Sequence, residues 1–213
     1  MQRLALFDLD NTLIDLDAAF AVWAREFAEE HGLGRKGKEW LISLDQNGVP
    51  HRELFFTKVR DRFKLSAPAP RLWSEYRARM PHLVTCRPEV IAALSSLRLE
   101  GWRVGIITNG TPDNQLGKIS ETGLIDVVDG YALSGAEGIR KPDRQLFNIA
   151  AHRCGASLGD GGWMVGDNLE ADIKGGCMAG LRTIWINRRS GTSPALADHV
   201  VTDVLEGIAL LRT

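Results

Sequence analysis

The chain has 213 residues and a formal charge of −1, its 26 basic and 27 acidic residues mixed along its length, which excludes the charged surface of a nucleic-acid or membrane-surface protein. Its three cysteines, Cys86, Cys154 and Cys177, are odd in number and show no C-x-x-C or Cys/His spacing, so a disulfide framework and a zinc site are excluded and each reads as a small apolar residue. No stretch approaches the roughly 20 apolar residues of a membrane span, and the N-terminus opens directly on a strand without a signal segment, so the expectation is a soluble cytoplasmic protein with a small-molecule partner, of undefined oligomeric state.

The first predicted element is a short apolar run, Leu4-Ala5-Leu6-Phe7, leading into Asp8-Leu9-Asp10-Asn11-Thr12-Leu13. A buried strand of a parallel sheet reads this way. Side chains two apart on a strand point to the same side, so Asp8 and Asp10 are expected to face one crevice if the strand geometry persists that far. Two carboxylates so placed call for a bound divalent metal or a shared proton. The plain structural alternative is a strand end followed by an ordinary Asp-Asn turn.

From residue 15 to about 81 the pattern turns helical. Phe20, Trp23, Phe27 and His31 recur at three- and four-residue steps, and Gly32 closes the run. Further helices are predicted over Lys38 to Leu44, His51 to Phe63 and Pro70 to Met80, with Trp23, Trp40 and Trp73 as core. No strand is predicted here. This is an all-helical insert placed directly after the two carboxylates, and it is expected to act as a lid that excludes water.

Helix and strand then alternate. A helix over Pro88 to Glu100 leads to a strand over Trp102 to Thr108, which ends in Thr108-Asn109-Gly110: a hydroxyl, an amide and approachable backbone N–H groups before a helix from Pro112 to Glu121. Short strands are expected at Val127-Val128 and Tyr131-Ala132-Leu133. Gly138-Ile139-Arg140-Lys141-Pro142-Asp143 then feeds a helix through Leu146, Phe147 and Ile149. Of the two cations, Lys141 is preferred because it precedes the proline and because a compact ammonium suits a point charge between phosphate and carboxylate. A strand over Gly162 to Gly166 ends in Asp167, and a helix over Asn168 to Ala179 brings Asp172 one turn further on. Strands at Leu181 to Ile186 and His199 to Val201 and a helix at Leu205 to Leu211 complete an α/β chain: a Rossmann-like parallel sheet sandwiched by helices, with the all-helical insert. Residues 1–14 and 82–213 form the expected catalytic core and 15–81 the expected helical cap.

All four polar clusters fall at predicted strand ends, where open parallel sheets bind ligands. Their order and spacing resemble the haloacid dehalogenase superfamily, in its phosphatase-type, phosphoglycolate phosphatase-like branch with a helical cap inserted after the first motif. The motifs are Asp8-Leu9-Asp10-Asn11-Thr12-Leu13, Thr108-Asn109-Gly110, Arg140-Lys141-Pro142 and Gly166-Asp167-Asn168-Leu169-Glu170-Ala171-Asp172. The resemblance implies Asp8 as the nucleophile that forms an aspartyl-phosphate, Asp10 as general acid and then base, and Thr108, Asn109 and Lys141 as binders of the phosphate ester. It implies Mg²⁺ held by Asp167 and Asp172 together with Asp8 and the backbone carbonyl of Asp10.

The expected activity is Mg²⁺-dependent hydrolysis of a small-molecule phosphate monoester. A phosphomutase would use the same four motifs and return the phosphoryl group to a sugar. A 2-haloacid dehalogenase of this superfamily needs no metal and lacks the second aspartate, whereas Asp10 is present here. A non-catalytic binding module that kept the fold is the more distant alternative. Candidates for touching the leaving group are Asp15 and Asp17 at the entrance of the insert and Gln46, Asn47, His51 and Arg52 around its central loop, the last two suited to an anionic substrate tail.

Overall fold

The computed structural model describes residues 2–45, 51–188 and 196–212. Gln46 and Asn47 lie outside them. In chain order the elements are β1 (Leu4–Phe7), α1 (Leu16–Glu30), α2 (Gly34–Leu44), α3 (Arg52–Phe63), α4 (Ala69–Arg79), α5 (Pro88–Leu99), β2 (Arg103–Thr108), α6 (Pro112–Glu121), β3 (Gly130–Leu133), α7 (Ser134–Glu137), α8 (Arg144–Arg153), β4 (Trp163–Gly166), a π-helical turn (Leu169–Lys174) running into α9 (Gly175–Ala179), β5 (Arg182–Ile186), β6 (His199–Val201) and α10 (Val204–Leu210). Among the described residues no helix is long and apolar enough to cross a membrane.

The chain divides into two compact units, Met1–Asp15 with Thr85–Thr213, and Leu16–Val84. The second boundary falls beyond the expected residue 81, because Met80–His82 continues α4 as a 3-10 turn whose Met80 carbonyl accepts from both Leu83 and Val84.

In the first unit six parallel strands lie in the order β3-β2-β1-β4-β5-β6. This is the doubly wound order, with its switch point at β1 and β4. All four residues of β1 have zero exposure, which is why the run carries no alternation: a parallel strand covered on both faces is apolar throughout. Leu4, Leu6, Ile107, Ala132 and Met164 face Leu146, Phe147, Ala150 and Ala151 of α8 and Ala179 of α9. On the other face α5 and α10 pack together and against the sheet, with Gly207 over Val165 and Ile184. Proline opens α5 and α6, and Asp143 caps α8 by accepting from the Gln145 N–H at 2.8 Å. The expected strand at Val127-Val128 is absent: both valines are buried, but they follow a 3-10 turn at Leu124–Asp126, and pairing with β2 starts only at Gly130. Burial, not strand geometry, explains their apolar character.

The second unit has its own aromatic core. Trp23 of α1 meets Tyr76 of α4 edge-on at 4.9 Å and Phe56 of α3 at 5.6 Å, and Phe20 meets Phe55 at 5.8 Å. Trp40 and Trp73, expected as core, are only half-buried; Trp40 packs edge-on against Phe63 and Trp73 stacks on Phe56.

Two separate cores predict two separable responses to truncation. Trp23→Ala should destabilise by about 3–5 kcal/mol and raise amide exchange first within Leu16–Val84, whereas Phe147→Ala, of similar cost, should raise it first in β1, β2, β4 and α8. Hydrogen-exchange mass spectrometry on the two variants reads the difference directly.

Candidate active site

Asp8 follows β1, Thr108 ends β2, Lys141 comes after β3 and α7, and Asp167 follows β4. At β1 the ladder runs one residue beyond the strand, the Asp8 N–H donating to Val165 at 2.9 Å, and then the chain turns. The Leu9 carbonyl accepts from the N–H groups of Thr12, Leu13 and Ile14, and Asn11 takes the left-handed conformation at φ 58°. The regular ladder therefore stops at Asp8, and Asp10 lies in the turn that follows it. Asp8 and Asp10 have different partners.

Asp8 is buried and its Oδ1 lies 2.5 Å from Lys141 Nζ. The same ammonium donates to Asp172 Oδ1 at 2.6 Å and to the Ile107 carbonyl of β2 at 2.8 Å. Its three N–H donors are thus fully used, and Lys141 is 3% exposed. Asn109 clamps the Lys141 backbone from both ends of its amide, Nδ2 donating to the Lys141 carbonyl at 3.1 Å and Oδ1 accepting from the Lys141 N–H at 2.9 Å. The structure places Asn109 as a brace for Lys141. The Gly110 N–H donates to Ser134 Oγ at 3.0 Å and is not the freely approachable group expected from the sequence.

Asp167 follows β4, and its backbone carbonyl accepts from the Trp185 indole at 2.8 Å. Asn168 caps the π-helical turn through Glu170 and Ala171. The wider turn, in which the Asn168 carbonyl accepts from both Asp172 and Ile173, lets Asp172 Oδ2 fold back onto the Asn168 N–H at 3.0 Å. A Cβ at Gly166 would overlap that carboxylate, so only glycine admits Asp172 here. Asp8, Asp167 and Asp172 each offer an oxygen within 4.8 Å of the others.

Burial pushes the Asp8 pKa well above its ordinary value; Lys141 opposes this, while Asp172, Asp167 and Asp10 add to it. Asp167 is pushed up to about 7, by burial first and by the Asp172 charge second. Burial works against the Lys141 charge, but Asp172 and Asp8 outweigh it and hold its pKa above the usual lysine value. Three carboxylates against one ammonium leave a formal excess of two negative charges, which is the charge deficit a divalent cation fills.

Asp10 faces α6. Its Oδ1 lies 2.8 Å from Lys118 Nζ and its Oδ2 accepts from Gln115 Nε2 at 3.0 Å; the same Gln115 amide donates to Thr108 Oγ1 at 2.6 Å. Gln115 and Lys118 did not emerge from the sequence motifs. The signal that could have found them is their spacing: polar residues three apart on the face of α6 that also buries Ile119. Of the other candidates, Asp15 lies 3.9 Å from Arg188, and Asp17 lies in the first turn of α1. His51 is exposed. Arg52 lies within the helical unit, 2.9 Å from Asp45 and over the rings of Phe20, Phe55 and Tyr76.

A family model described as "Hydrolase: haloacid dehalogenase-like hydrolase" matches residues 2–180. The chain is 36% identical to the N-acylneuraminate-9-phosphatase of Rattus norvegicus, across 99% of this chain and 94% of that one. It is 32% identical to the phosphoserine phosphatase of Thermus thermophilus, across 81% and 70% of the two chains. A crystal structure of a HAD phosphatase from Thermococcus onnurineus superimposes with a TM-score of 0.72 at 26% identity, covering 99% of this chain and 98% of that one. With its four polar strand ends gathered and the match running through all of them, the chain belongs to the haloacid dehalogenase-like hydrolase family.

Proposed function

We propose that this protein is a Mg²⁺-dependent phosphatase that hydrolyses a small-molecule phosphate monoester through an aspartyl-phosphate on Asp8. The observation that carries the proposal is the separation of two aspartates into two environments. Asp8 sits with Lys141 in a buried cluster short of positive charge, and Asp10 is held apart by Lys118 and Gln115. A nucleophile and a proton carrier need that separation. A dehalogenase reading leaves Asp10 and its two partners without a task.

Phosphate monoesters are among the slowest substrates to react uncatalysed, with accelerations up to ~10²¹ required, while a positioned acid supplies only ~10²–10⁴. Charge neutralisation has to supply most of the rest. The donor set fits a hard divalent cation: three carboxylates with a charge excess of two. Asp8, Asp167 and Asp172 would hold Mg²⁺, with the Asp10 backbone carbonyl as a further ligand, and the bound ion would offset the phosphoryl charge. Lys141 fixes one Asp8 oxygen and leaves the other to attack phosphorus. As that O–P bond forms and the ester P–O bond breaks, Asp10 gives its proton to the departing alcohol oxygen. Asp10 then takes a proton from the water that displaces Asp8, releasing inorganic phosphate. The Thr108 hydroxyl binds a phosphoryl oxygen. Residues 16–84 are the helical cap of this reading.

A phosphate-release screen over sugar, nucleotide and small organic-acid monophosphates tests the reading. Wild-type protein with Mg²⁺ should release phosphate from at least one class, Asp8→Asn should lose activity by about 10⁴-fold or more, and chelation should abolish it. An isomerised sugar phosphate in place of free phosphate would make it a mutase; halide release from 2-haloacids without phosphate release would overturn it.

The charge excess carries a second expectation. The folded-state pKa of Asp167, about 7 against an ordinary 3.8, means that the folded protein holds a proton the unfolded chain releases. Without metal, the Asp167 contribution to stability is therefore full below about pH 4 and is lost as pH rises toward 7. Asp167→Asn removes that penalty. In chelator, urea unfolding should find the variant more stable at pH 7.5, on the order of 1–3 kcal/mol, with the gap closing by pH 4. A pH-independent gap would count against the charge argument.

A further inference from the structure

We infer that Lys118 and Gln115 are positioning residues for proton transfer, holding Asp10 on the leaving-group oxygen and aiming the Thr108 hydroxyl at the phosphoryl group. This rests on the phosphatase reading and adds to it a device contributed by α6.

Lys118 is 2% exposed and Gln115 1% exposed. Desolvating an ammonium is expensive, and an apolar residue at the same position of α6 would be cheaper for folding alone. The lysine is directed to one place, Asp10 Oδ1 at 2.8 Å. Gln115 fills the other oxygen at 3.0 Å. Both carboxylate oxygens are thereby tied to one helix, and the carboxylate plane cannot rotate toward the cluster of Asp8, Asp167 and Asp172. The Asp10 side chain itself remains 23% exposed, so its free lone pairs are open to a ligand.

The Gln115 contacts also fix the Thr108 proton. Gln115 Nε2 donates to Asp10 Oδ2 and Lys118 to Oδ1, so the transferable proton of Asp10 sits on a lone pair that neither α6 donor occupies, and the same Gln115 NH₂ donates to Thr108 Oγ1 at 2.6 Å. The hydroxyl is the acceptor there. Its own hydrogen is left to be donated elsewhere, which is what an anionic phosphoryl oxygen requires. One amide thus sets the acid and the phosphate holder together. The seat of that amide depends on Gly110, where an added Cβ would come within 2.7 Å of Gln115 Cγ and Cδ.

Leaving-group dependence separates positioning from mere structural support. Ethyl phosphate departs as an alcohol that needs the Asp10 proton; p-nitrophenyl phosphate departs as a stable phenolate that does not. With the Mg²⁺-loaded full chain and kcat/KM as the readout, Lys118→Met should lose about 10²–10³-fold on ethyl phosphate and less than about 10-fold on p-nitrophenyl phosphate. Lys118→Arg should recover part of the ethyl phosphate loss. In an Asp10→Asn background Lys118→Met should cost nothing further, because its effect passes through Asp10. Gln115→Leu and Gly110→Ala should lower both substrates, since each also releases Thr108. If Lys118→Met does not fold, Lys118→Arg carries the comparison, with a loss on ethyl phosphate that exceeds its loss on p-nitrophenyl phosphate. Equal losses on the two esters from the Lys118 variants, or an additive loss with Asp10→Asn, would overturn the inference while leaving the phosphatase reading in place. Wild-type protein inactive on both esters and on the wider panel would overturn both.

Discussion

The Lys141 ammonium is the interaction on which the site depends. It is buried, all three of its donors are used, and they go to Asp8 of the first motif, Asp172 of the fourth and a main-chain carbonyl of β2. Asn109 of the second motif holds the Lys141 backbone. The four motifs therefore form one hydrogen-bonded unit, and none can be displaced without leaving a buried polar group unpaired. Such a cluster is poor as a stabilising device, because desolvation of the charges consumes much of what their attraction returns. Its three carboxylates against one ammonium leave it a residual negative charge.

That residual charge falls unevenly on the two aspartates of the first motif. Asp8 shares one ammonium with Asp172 and lies near Asp167, so burial and neighbouring anions raise its pKa. Asp10, two residues away, has a lysine and an amide of its own. Two identical side chains are given two environments by their surroundings, the separation that the proposed division between nucleophile and proton carrier requires.

The fold was legible because β1, β2, β4 and β5 are buried on both faces and read as apolar runs with helices between them, a pattern that only a parallel sheet satisfies. The strand-end polar residues were legible for the same reason, since each interrupts an apolar run. Contacts made from within helices were not. Lys118 and Gln115 sit in a segment whose sequence describes only an amphipathic helix, and their partner lies more than a hundred residues earlier. Val127 and Val128 misled in the opposite sense, because apolar residues are buried under turns as readily as in strands. The brace made by Asn109 was also hidden: an amide beside a threonine reads as a ligand group, and only coordinates show both its ends engaged with Lys141.

Two departures from regular backbone lie at the carboxyl edge of this sheet, after β1 and after β4. On a regular strand, side chains two apart share one direction, and like charges so placed repel. The Asp10 charge does add to the rise in the Asp8 pKa, but past Phe7 the chain turns on the Leu9 carbonyl, and Asp10 meets Lys118 and Gln115 of α6 while Asp8 meets Lys141. At β4 the π-helical turn does the converse, folding Asp172 back over Gly166 to meet the Lys141 that Asp8 also meets. The first turn gives the two aspartates separate partners, and the second gives Asp8 and Asp172 a shared one. The regular sheet between them keeps β1 and β4 in register, Phe7 beside Val165, so that both departures act on the same few ångströms of space.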